Sequence, residues 1–184
     1  MSTFRFAIMG AGNIAHQFCD AVTLVEDCEV SAIASKDLGR AQKFAEECSV
    51  AHAYDNYEQM LIEEKPDCVY IAVTPNDHFR LTMLCLEHRI PVLCEKAMFT
   101  NSAEAKAVFE KAEKDQTFVM EAMWSRFLPA VNQAKKWAAE GKIGRLEALQ
   151  GRIGFLAPEG ADNRYHSPLL CGGAATDITV YAYE

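Results

Sequence analysis

Several features that would decide the class of this protein are missing from its sequence. No uninterrupted apolar run reaches the roughly 18–20 residues that cross a bilayer, so no membrane span is predicted. Positive charge is scarce, since 18 Lys and Arg face 26 Asp and Glu and leave a net charge of −8. Because an acidic chain repels phosphate backbones, nucleic acid is not expected as a partner. Repeats and low-complexity tracts are also missing, and a composition that is 50% hydrophobic is typical of a globular domain.

Paired cysteine motifs are absent as well, although the chain has seven cysteines. None forms a C-x-x-C pair and most lie in apolar stretches, which predicts buried, reduced thiols, and no metal site is predicted. Cys171 is the exception that we keep open as a reactive thiol, because it precedes two glycines. The N-terminal residues lack the charged start and apolar core of a signal peptide, so we expect a cytoplasmic protein.

Six short apolar runs alternate with helical patterns over the first two thirds of the chain. The predicted strands are Phe4–Met9, Glu29–Ala34, Ala51–Tyr54, Cys68–Thr74, Pro91–Glu95 and Thr117–Met123. Because these runs are almost continuously apolar, they indicate strands buried on both faces, as in a parallel sheet. The pattern predicts an α/β fold with a doubly wound Rossmann-type parallel sheet in residues 1–123.

The rhythm changes in residues 124–184. Leu128–Glu140 is predicted as a helix, Leu146–Phe155 as a long strand and Thr176–Tyr181 as a further helix. A single strand leaves its backbone groups unpaired and cannot form a sheet by itself. We therefore expect residues 124–184 to be the beginning of a truncated second domain.

A glycine-rich turn follows the first predicted strand and opens the first predicted helix. The segment Gly10-Ala11-Gly12-Asn13-Ile14-Ala15 fits G-x-G-x-x-[G/A] in the structural context that this pattern requires. The first glycine permits a tight turn, the second lets the backbone approach a pyrophosphate, and Ala15 allows close helix–strand packing. The helix N-terminus adds unpaired N–H groups and partial positive charge. We expect Gly10, Gly12, Asn13 and Ile14 to hold the phosphates of a nicotinamide dinucleotide.

The end of the second predicted strand indicates which dinucleotide binds. An NAD site usually places an acidic residue there for the ribose hydroxyls. This sequence has Ser35 and Lys36, followed by Arg40, and a hydroxyl with two cations suits a 2′-phosphate. Asp37 complicates this interpretation unless it caps the next helix, for which Ser35 is the alternative cap. We favour NADP as the cofactor, with NAD as the alternative.

Two further clusters follow the fourth and fifth predicted strands. Open α/β sheets bind ligands at the carboxyl ends of their strands, so these clusters are expected at the cofactor. The expected contacts are Thr74, Pro75, Asn76, His78, Glu95 and Lys96. Lys96, next to the nicotinamide pocket, is the candidate for a functional lysine.

Asp177 and Tyr181 are four residues apart in the last predicted helix and would share one face. Taken alone, they would be an Asp near a helix start and a core tyrosine. With the other motifs, however, residues Phe4 to Tyr181 resemble the glucose-fructose oxidoreductase/inositol dehydrogenase/rhizopine catabolism (Gfo/Idh/MocA) family. The resemblance rests on Ala11-Gly12-Asn13-Ile14-Ala15, Thr74-Pro75-Asn76, Glu95-Lys96 and Gly172-Gly173-x3-Asp177-x3-Tyr181. The segment EAMWSRFLP, residues 121–129, is similar to the branch that contains dimeric dihydrodiol dehydrogenases and NADP-dependent D-xylose dehydrogenases.

This resemblance implies a dehydrogenase that acts on a sugar, polyol or cyclic diol. It also implies an α+β second domain with an open, mostly antiparallel sheet that forms a homodimer in the full-length protein. The general acid/base of this branch is a tyrosine, which matches Tyr181, and its paired lysine matches Lys96. A free tyrosine has a pKa of about 10 and is a poor base, but a nearby lysine cation favours the phenolate. Asp177 would orient a sugar hydroxyl, Trp124 and Phe155 would line an apolar substrate wall, and Arg152 would donate to the substrate.

The sequence departs from the family pattern at three positions. Ala97 stands where the family usually has proline, which loosens one constraint on Lys96 because proline fixes φ. Cys171 replaces the first of three glycines, and Thr179 replaces a glycine two residues after Asp177.

A non-catalytic NAD(P)-sensing regulator on the same fold is the alternative function, since fold does not determine function. The presence of Lys96 and Tyr181 favours the enzyme.

Overall fold

The computed structural model describes residues 3–160 and 163–184. Six parallel strands form one sheet in the order β3-β2-β1-β4-β5-β6. They are β1 Phe4–Met9, β2 Cys28–Ala34, β3 His52–Tyr54, β4 Cys68–Ile71, β5 Val92–Cys94 and β6 Val119–Glu121. The strand order reverses between β1 and β4, so the predicted doubly wound Rossmann-type sheet is confirmed.

Helices connect the strands and continue beyond the sheet. The α-helices are α1 Asn13–Val22, α2 Leu38–Cys48, α3 Tyr57–Glu64, α4 His78–Glu87, α5 Ser102–Asp115, α6 Pro129–Ala139, α7 Ala174–Asp177 and α8 Thr179–Tyr183. Short 3₁₀ helices lie at Pro75–Asp77, Trp124–Phe127 and Pro168–Leu170. Side chains cap three of the helices that follow strands. Asp37 accepts from the Arg40 N–H at 2.8 Å, Asn56 from Gln59 at 3.0 Å and Asn101 from Glu104 at 3.0 Å.

The central strands are buried on both faces, as their apolar sequences predict. Every residue of β4 is buried, and Ala7, Ile8 and Met9 at the end of β1 have no exposed surface. Several strands end earlier than predicted, because Ala72–Thr74 and Glu95 leave the sheet to form loops at its carboxyl edge. The edge that was expected to bind ligands is therefore built by loop residues, each anchored to a buried strand.

The chain divides into two compact units, Met1–Glu121 and Ala122–Glu184. The predicted strand Leu146–Phe155 is wrong, since residues 145–157 have no regular secondary structure. Extended backbone needs a neighbouring strand to satisfy its N–H and C=O groups, and the described part of the second unit contains none. The open antiparallel sheet expected for residues 124–184 is therefore not seen among the described residues.

The predicted helix Thr176–Tyr181 is confirmed in part, because its residues lie in α7 and α8, which are separated at Ile178 with φ −121°. The break puts Asp177 and Tyr181 on two different helices. β-Branched residues disfavour helix at this point, and the Thr179 hydroxyl donates to the Ala174 carbonyl at 2.9 Å. This side-chain bond competes with the regular helical pattern.

The cysteines follow their prediction in part. Cys19, Cys68, Cys85 and Cys94 are buried, whereas Cys28, Cys48 and Cys171 are only partly buried, and all seven are free thiols. Burial raises the pKa of Cys19 and of Cys68 to about 12.

Over the residues that the structure describes, no helix is both long and apolar enough to span a membrane.

Candidate functional site

The turn between β1 and α1 is built around Gly10. This residue has φ +108°, a conformation that residues with side chains rarely adopt. Its N–H donates to the Ala34 carbonyl at 2.8 Å, which joins the ends of β1 and β2. A Cβ atom at Gly10 would lie 2.6 Å from the Ala72 carbonyl oxygen after β4. The first glycine is therefore required by the fold itself.

Gly12 has a different structural situation. It is the N-cap of α1, with φ −104° and ψ 175°, and no side chain caps this helix. A Cβ atom there would come no closer than 4.0 Å to the neighbouring Ala72 carbonyl oxygen. Ala15 has no exposed surface, in keeping with close packing of α1 on the sheet. An uncapped helix start with open space at its N-cap is suited to an anionic ligand.

A cleft of about 460 Å³ lies next to this turn, between the turn and α2. Its lining residues are Ala11, Asn13, His16, Arg40, Lys43, Phe44 and Glu47. The Arg40 guanidinium donates to the Ala11 carbonyl at 3.4 Å, so this cation lies against the turn of residues 10–15, which we name the phosphate turn after the ligand predicted there. His16 contacts the Gly12 carbonyl through Nδ1 at 3.1 Å and Glu47 through Nε2 at 3.0 Å. The cleft is thus lined on one side by the turn and on the other by the cations Arg40 and Lys43 of α2.

The end of β2 carries the residues that were predicted to select the cofactor. Lys36 is exposed, and Ser35 is buried with its hydroxyl 3.5 Å from the Asp37 N–H. The Asp37 carboxylate caps α2 and so stabilises the start of this helix. This role accounts for an acidic residue here without a ribose contact. The Lys36 ammonium lies 2.5 Å from the Asp77 carboxylate in the loop after β4.

The loop after β4 contains Thr74, Pro75 and Asn76 at the carboxyl edge of the sheet, as expected. His78 does not follow its prediction as a cofactor contact, because it has no exposed surface. One ring nitrogen is 3.0 Å from the Val73 carbonyl, and the other is 3.1 Å from that of Ala97. Burial lowers the pKa of His78 despite these carbonyls. The imidazole therefore holds together the loops after β4 and β5.

Glu95 follows β5 and is almost completely buried. The Tyr70 hydroxyl donates to its carboxylate at 2.6 Å, and the Phe18 ring stacks on Tyr70 with the centroids 4.0 Å apart. Burial raises the pKa of Glu95 although the hydrogen bond from Tyr70 acts in the opposite direction. This carboxylate is thus held in one position at the edge of the sheet.

Lys96 continues the same loop and is partly buried. The loop is fixed from a neighbouring strand, because the Met98 N–H donates to the Glu121 carboxylate at 2.9 Å at the end of β6. The Lys96–Ala97 peptide bond is cis. His78 and Glu121 together hold the backbone that carries Lys96.

The second unit contains the remaining candidate residues. Trp124 donates its indole N–H to the Tyr181 hydroxyl oxygen at 3.0 Å, and the two rings meet edge to face with centroids 5.9 Å apart. Asp177 lies 3.8 Å from the Arg164 guanidinium. Trp124 therefore contacts the predicted acid/base directly, in addition to any role in a substrate wall.

Arg152 and Phe155 lie in the segment 145–157, which has no regular secondary structure. The Phe155 ring contacts Tyr165 edge to face, with the centroids 5.2 Å apart. The strand that would have turned both side chains toward one face is not formed. Their predicted substrate contacts stay predictions.

Four residues near the site were not anticipated from the sequence. His16 and Lys43 line the cleft, Tyr70 holds Glu95, and Asp77 pairs with Lys36. Lys43 and His16 left a usable signal, since each lies three residues after a predicted cofactor contact on the same helix, Lys43 after Arg40 and His16 after Asn13. Tyr70 and Asp77 depend on contacts between distant parts of the chain.

Comparison with known proteins gives a consistent result for sequence and fold. The model of the GFO_IDH_MocA family, an oxidoreductase family with an NAD-binding Rossmann fold, matches residues 4–123. The trans-1,2-dihydrobenzene-1,2-diol dehydrogenase of Mus musculus is 33% identical over 185 residues, which cover 98% of this chain and 54% of that protein. The chain thus spans about half the length of the curated relatives it matches.

Solved structures agree with this fold. An NAD-binding protein from Listeria innocua superposes with a TM-score of 0.86 at 22% identity, over 98% of this chain and 52% of that one. A 3-ketoreductase mutant from Actinomadura kijaniata, in complex with TDP-benzene and NADP, has a TM-score of 0.71 at 26% identity. That match covers 76% of this chain and 43% of the ketoreductase.

Proposed function

The chain belongs to the Gfo/Idh/MocA oxidoreductase family, and we propose that it is an NADP-dependent dehydrogenase. Its substrate is a secondary alcohol or the corresponding carbonyl of a sugar, polyol or cyclic diol. The relatives named dihydrodiol dehydrogenases support a diol as the first substrate to examine. A homodimer and a cytoplasmic location stay predictions from the sequence.

The observation that carries the proposed cofactor is the position of two cations at the carboxyl edge of the sheet, one of them against the phosphate turn. Arg40 contacts the backbone of the turn, and Lys36 follows β2 at the carboxyl edge of the same sheet. Guanidinium and ammonium groups donate strong, charge-assisted hydrogen bonds to phosphate oxygens. Asp37, the acidic residue that would suit the ribose hydroxyls of NAD, is engaged as the cap of α2.

Calorimetric titration of the cofactors tests this assignment. Lys36→Met and Arg40→Met should each weaken NADP⁺ binding roughly tenfold or more, with little change for NAD⁺, because each removes a charged donor to the 2′-phosphate. Lys106→Met is the matched control, since it removes the same charge from an exposed position on α5. Equal losses for both cofactors would contradict the assignment of these cations to the 2′-phosphate.

We propose that Tyr181 moves the substrate hydroxyl proton and that Lys96 supports it electrostatically. Bound oxidised nicotinamide supplies the hydride acceptor. The Tyr181 oxygen takes the proton while the substrate carbon loses hydride, and returns it in the opposite direction. The indole N–H of Trp124 donates to this oxygen at 3.0 Å, which stabilises negative charge there.

Turnover measurements test these roles. Each variant is supplied with NADP⁺ and a panel of trans-diols, polyols and aldoses, and reduced nicotinamide is followed by its absorbance. Lys96→Ala and Tyr181→Phe should lose about two or more orders of magnitude in kcat. Tyr183→Phe is the control, because this tyrosine lies on the same short helix and is 93% exposed. Specific NADP⁺ binding without turnover of any substrate would instead support the dinucleotide-sensing regulator.

A further inference from the structure

The ion pair between Lys36 and Asp77 lies at the carboxyl edge of the sheet, where open α/β sheets have their ligand crevice. Lys36 follows β2 and Asp77 lies after β4, and these strands flank β1 on either side. The pair therefore crosses the end of the strand that leads into the phosphate turn. Asp77 is also contacted by Arg80, whose Nε lies 3.4 Å from the second carboxylate oxygen.

The two partners differ in exposure. The Lys36 side chain is 66% exposed, whereas that of Asp77 is 16% exposed and held between two cations. Partial burial alone would raise the pKa of Asp77, but Lys36 and Arg80 hold it below its usual value. Asp77 is thus negatively charged at neutral pH.

The carboxylate and a 2′-phosphate would require the same ammonium group. A phosphate that reaches Lys36 must draw it away from Asp77, and it meets a like charge close by. Arg80 continues to compensate Asp77 after Lys36 has left. A cofactor with a 2′-hydroxyl has no such requirement and leaves the ion pair intact.

We propose that Asp77 is a specificity-determining residue that competes with the cofactor's 2′-phosphate for Lys36. In the free protein it holds the lysine over the crevice, and in the complex with NADP it gives the lysine up. Asp77 therefore reduces the preference for NADP over NAD that Lys36 and Arg40 create. This inference rests on the proposed function, because it assigns Lys36 to the 2′-phosphate.

The test compares wild-type protein with Asp77→Asn by calorimetric titration with NADP⁺ and with NAD⁺ at low ionic strength, where exposed charges are least screened. Asp77→Asn should bind NADP⁺ about two- to fivefold more tightly, the range expected for loss of a partly exposed ion pair, and NAD⁺ unchanged. Asp55→Asn is the control, because it removes the same charge from an exposed residue after β3. It should alter neither affinity.

Two further variants keep the test decisive. The Asp77 side chain makes no capping bond to α4, so Asp77→Ser is a second variant expected to fold and to show the same gain. In a Lys36→Met background, Asp77→Asn should give no gain, since the contested cation is gone. An equal gain for both cofactors, a loss for both, or a gain that persists without Lys36 would overturn the inference.

Failure of the inference and failure of the proposed function give different results. If wild-type protein prefers NADP⁺ and Asp77→Asn leaves that affinity unchanged, the inference alone fails. If wild-type protein prefers NAD⁺, the proposed cofactor fails, and the competition at Lys36 fails with it.

Discussion

Substitution of the two glycines of the phosphate turn separates the requirements of the fold from those of the ligand. At Gly10, alanine adds strain at φ +108° and puts its Cβ 2.6 Å from a backbone oxygen. Such backbone strain costs about 1–3 kcal/mol, and overpacking adds about 1–3 kcal/mol. Gly10→Ala should therefore lower the free energy of unfolding by about 2–6 kcal/mol, or Tm by roughly 5–20 °C.

At Gly12 the same change should leave the fold intact. Its φ of −104° suits any residue, and the added Cβ comes no closer than 4.0 Å to the Ala72 carbonyl oxygen. Gly12→Ala should change the free energy of unfolding by less than about 1 kcal/mol. The methyl group would nevertheless occupy space needed by the pyrophosphate, so NADP⁺ affinity should fall at least about tenfold.

Thermal unfolding and cofactor titration of both variants provide the measurement. We expect Gly10→Ala to be defective chiefly in Tm and Gly12→Ala to be defective only in binding. Equal destabilisation by the two substitutions, or normal NADP⁺ binding by Gly12→Ala, would contradict the different roles of the two glycines.

Three other substitutions test individual polar contacts. Glu64→Ala should lower the free energy of unfolding, measured by chemical denaturation, by about 2–3 kcal/mol, because this buried carboxylate accepts a hydrogen bond from Tyr54 at 2.7 Å. An unchanged free energy of unfolding would contradict this. Burial raises the pKa of Glu95 in the folded protein, so the free energy of unfolding falls as pH rises from the unfolded-state pKa through the folded-state pKa. Glu95→Gln should flatten this pH dependence and raise Tm at neutral pH. An unchanged pH dependence would contradict this. Trp124→Phe removes the donor to Tyr181 and should lower kcat about fivefold to tenfold with KM little changed, whereas a change in KM alone would indicate a substrate-wall role.

The parallel sheet was predictable because its strands are buried on both faces and therefore carry continuous apolar runs. β4 is the strongest case, since all of its residues are buried. The ends of the strands were less predictable, because apolar residues such as Ala72 and Val73 continue past the end of β4 at Ile71. The turn after β1 was predictable because Gly10 has a positive φ and lies against the Ala72 backbone, which only glycine tolerates.

Features that depend on distant partners were not predictable. Residues 146–155 have strand character, but a strand forms only where another strand accepts its hydrogen bonds. The ion pair of Lys36 and Asp77 joins residues 41 positions apart, and no local pattern announces it. His78 was assigned to the cofactor from its position after β4, whereas three backbone carbonyls enclose its ring.

A side-by-side calorimetric titration of the unmodified protein with NADP⁺ and NAD⁺ measures the proposed cofactor preference itself. We expect one molecule of NADP⁺ to bind per chain, roughly tenfold or more tightly than NAD⁺, because charge-assisted bonds to the 2′-phosphate favour it. Tighter binding of NAD⁺ would contradict the assignment of Lys36 and Arg40, and binding of neither cofactor would contradict the dinucleotide site itself.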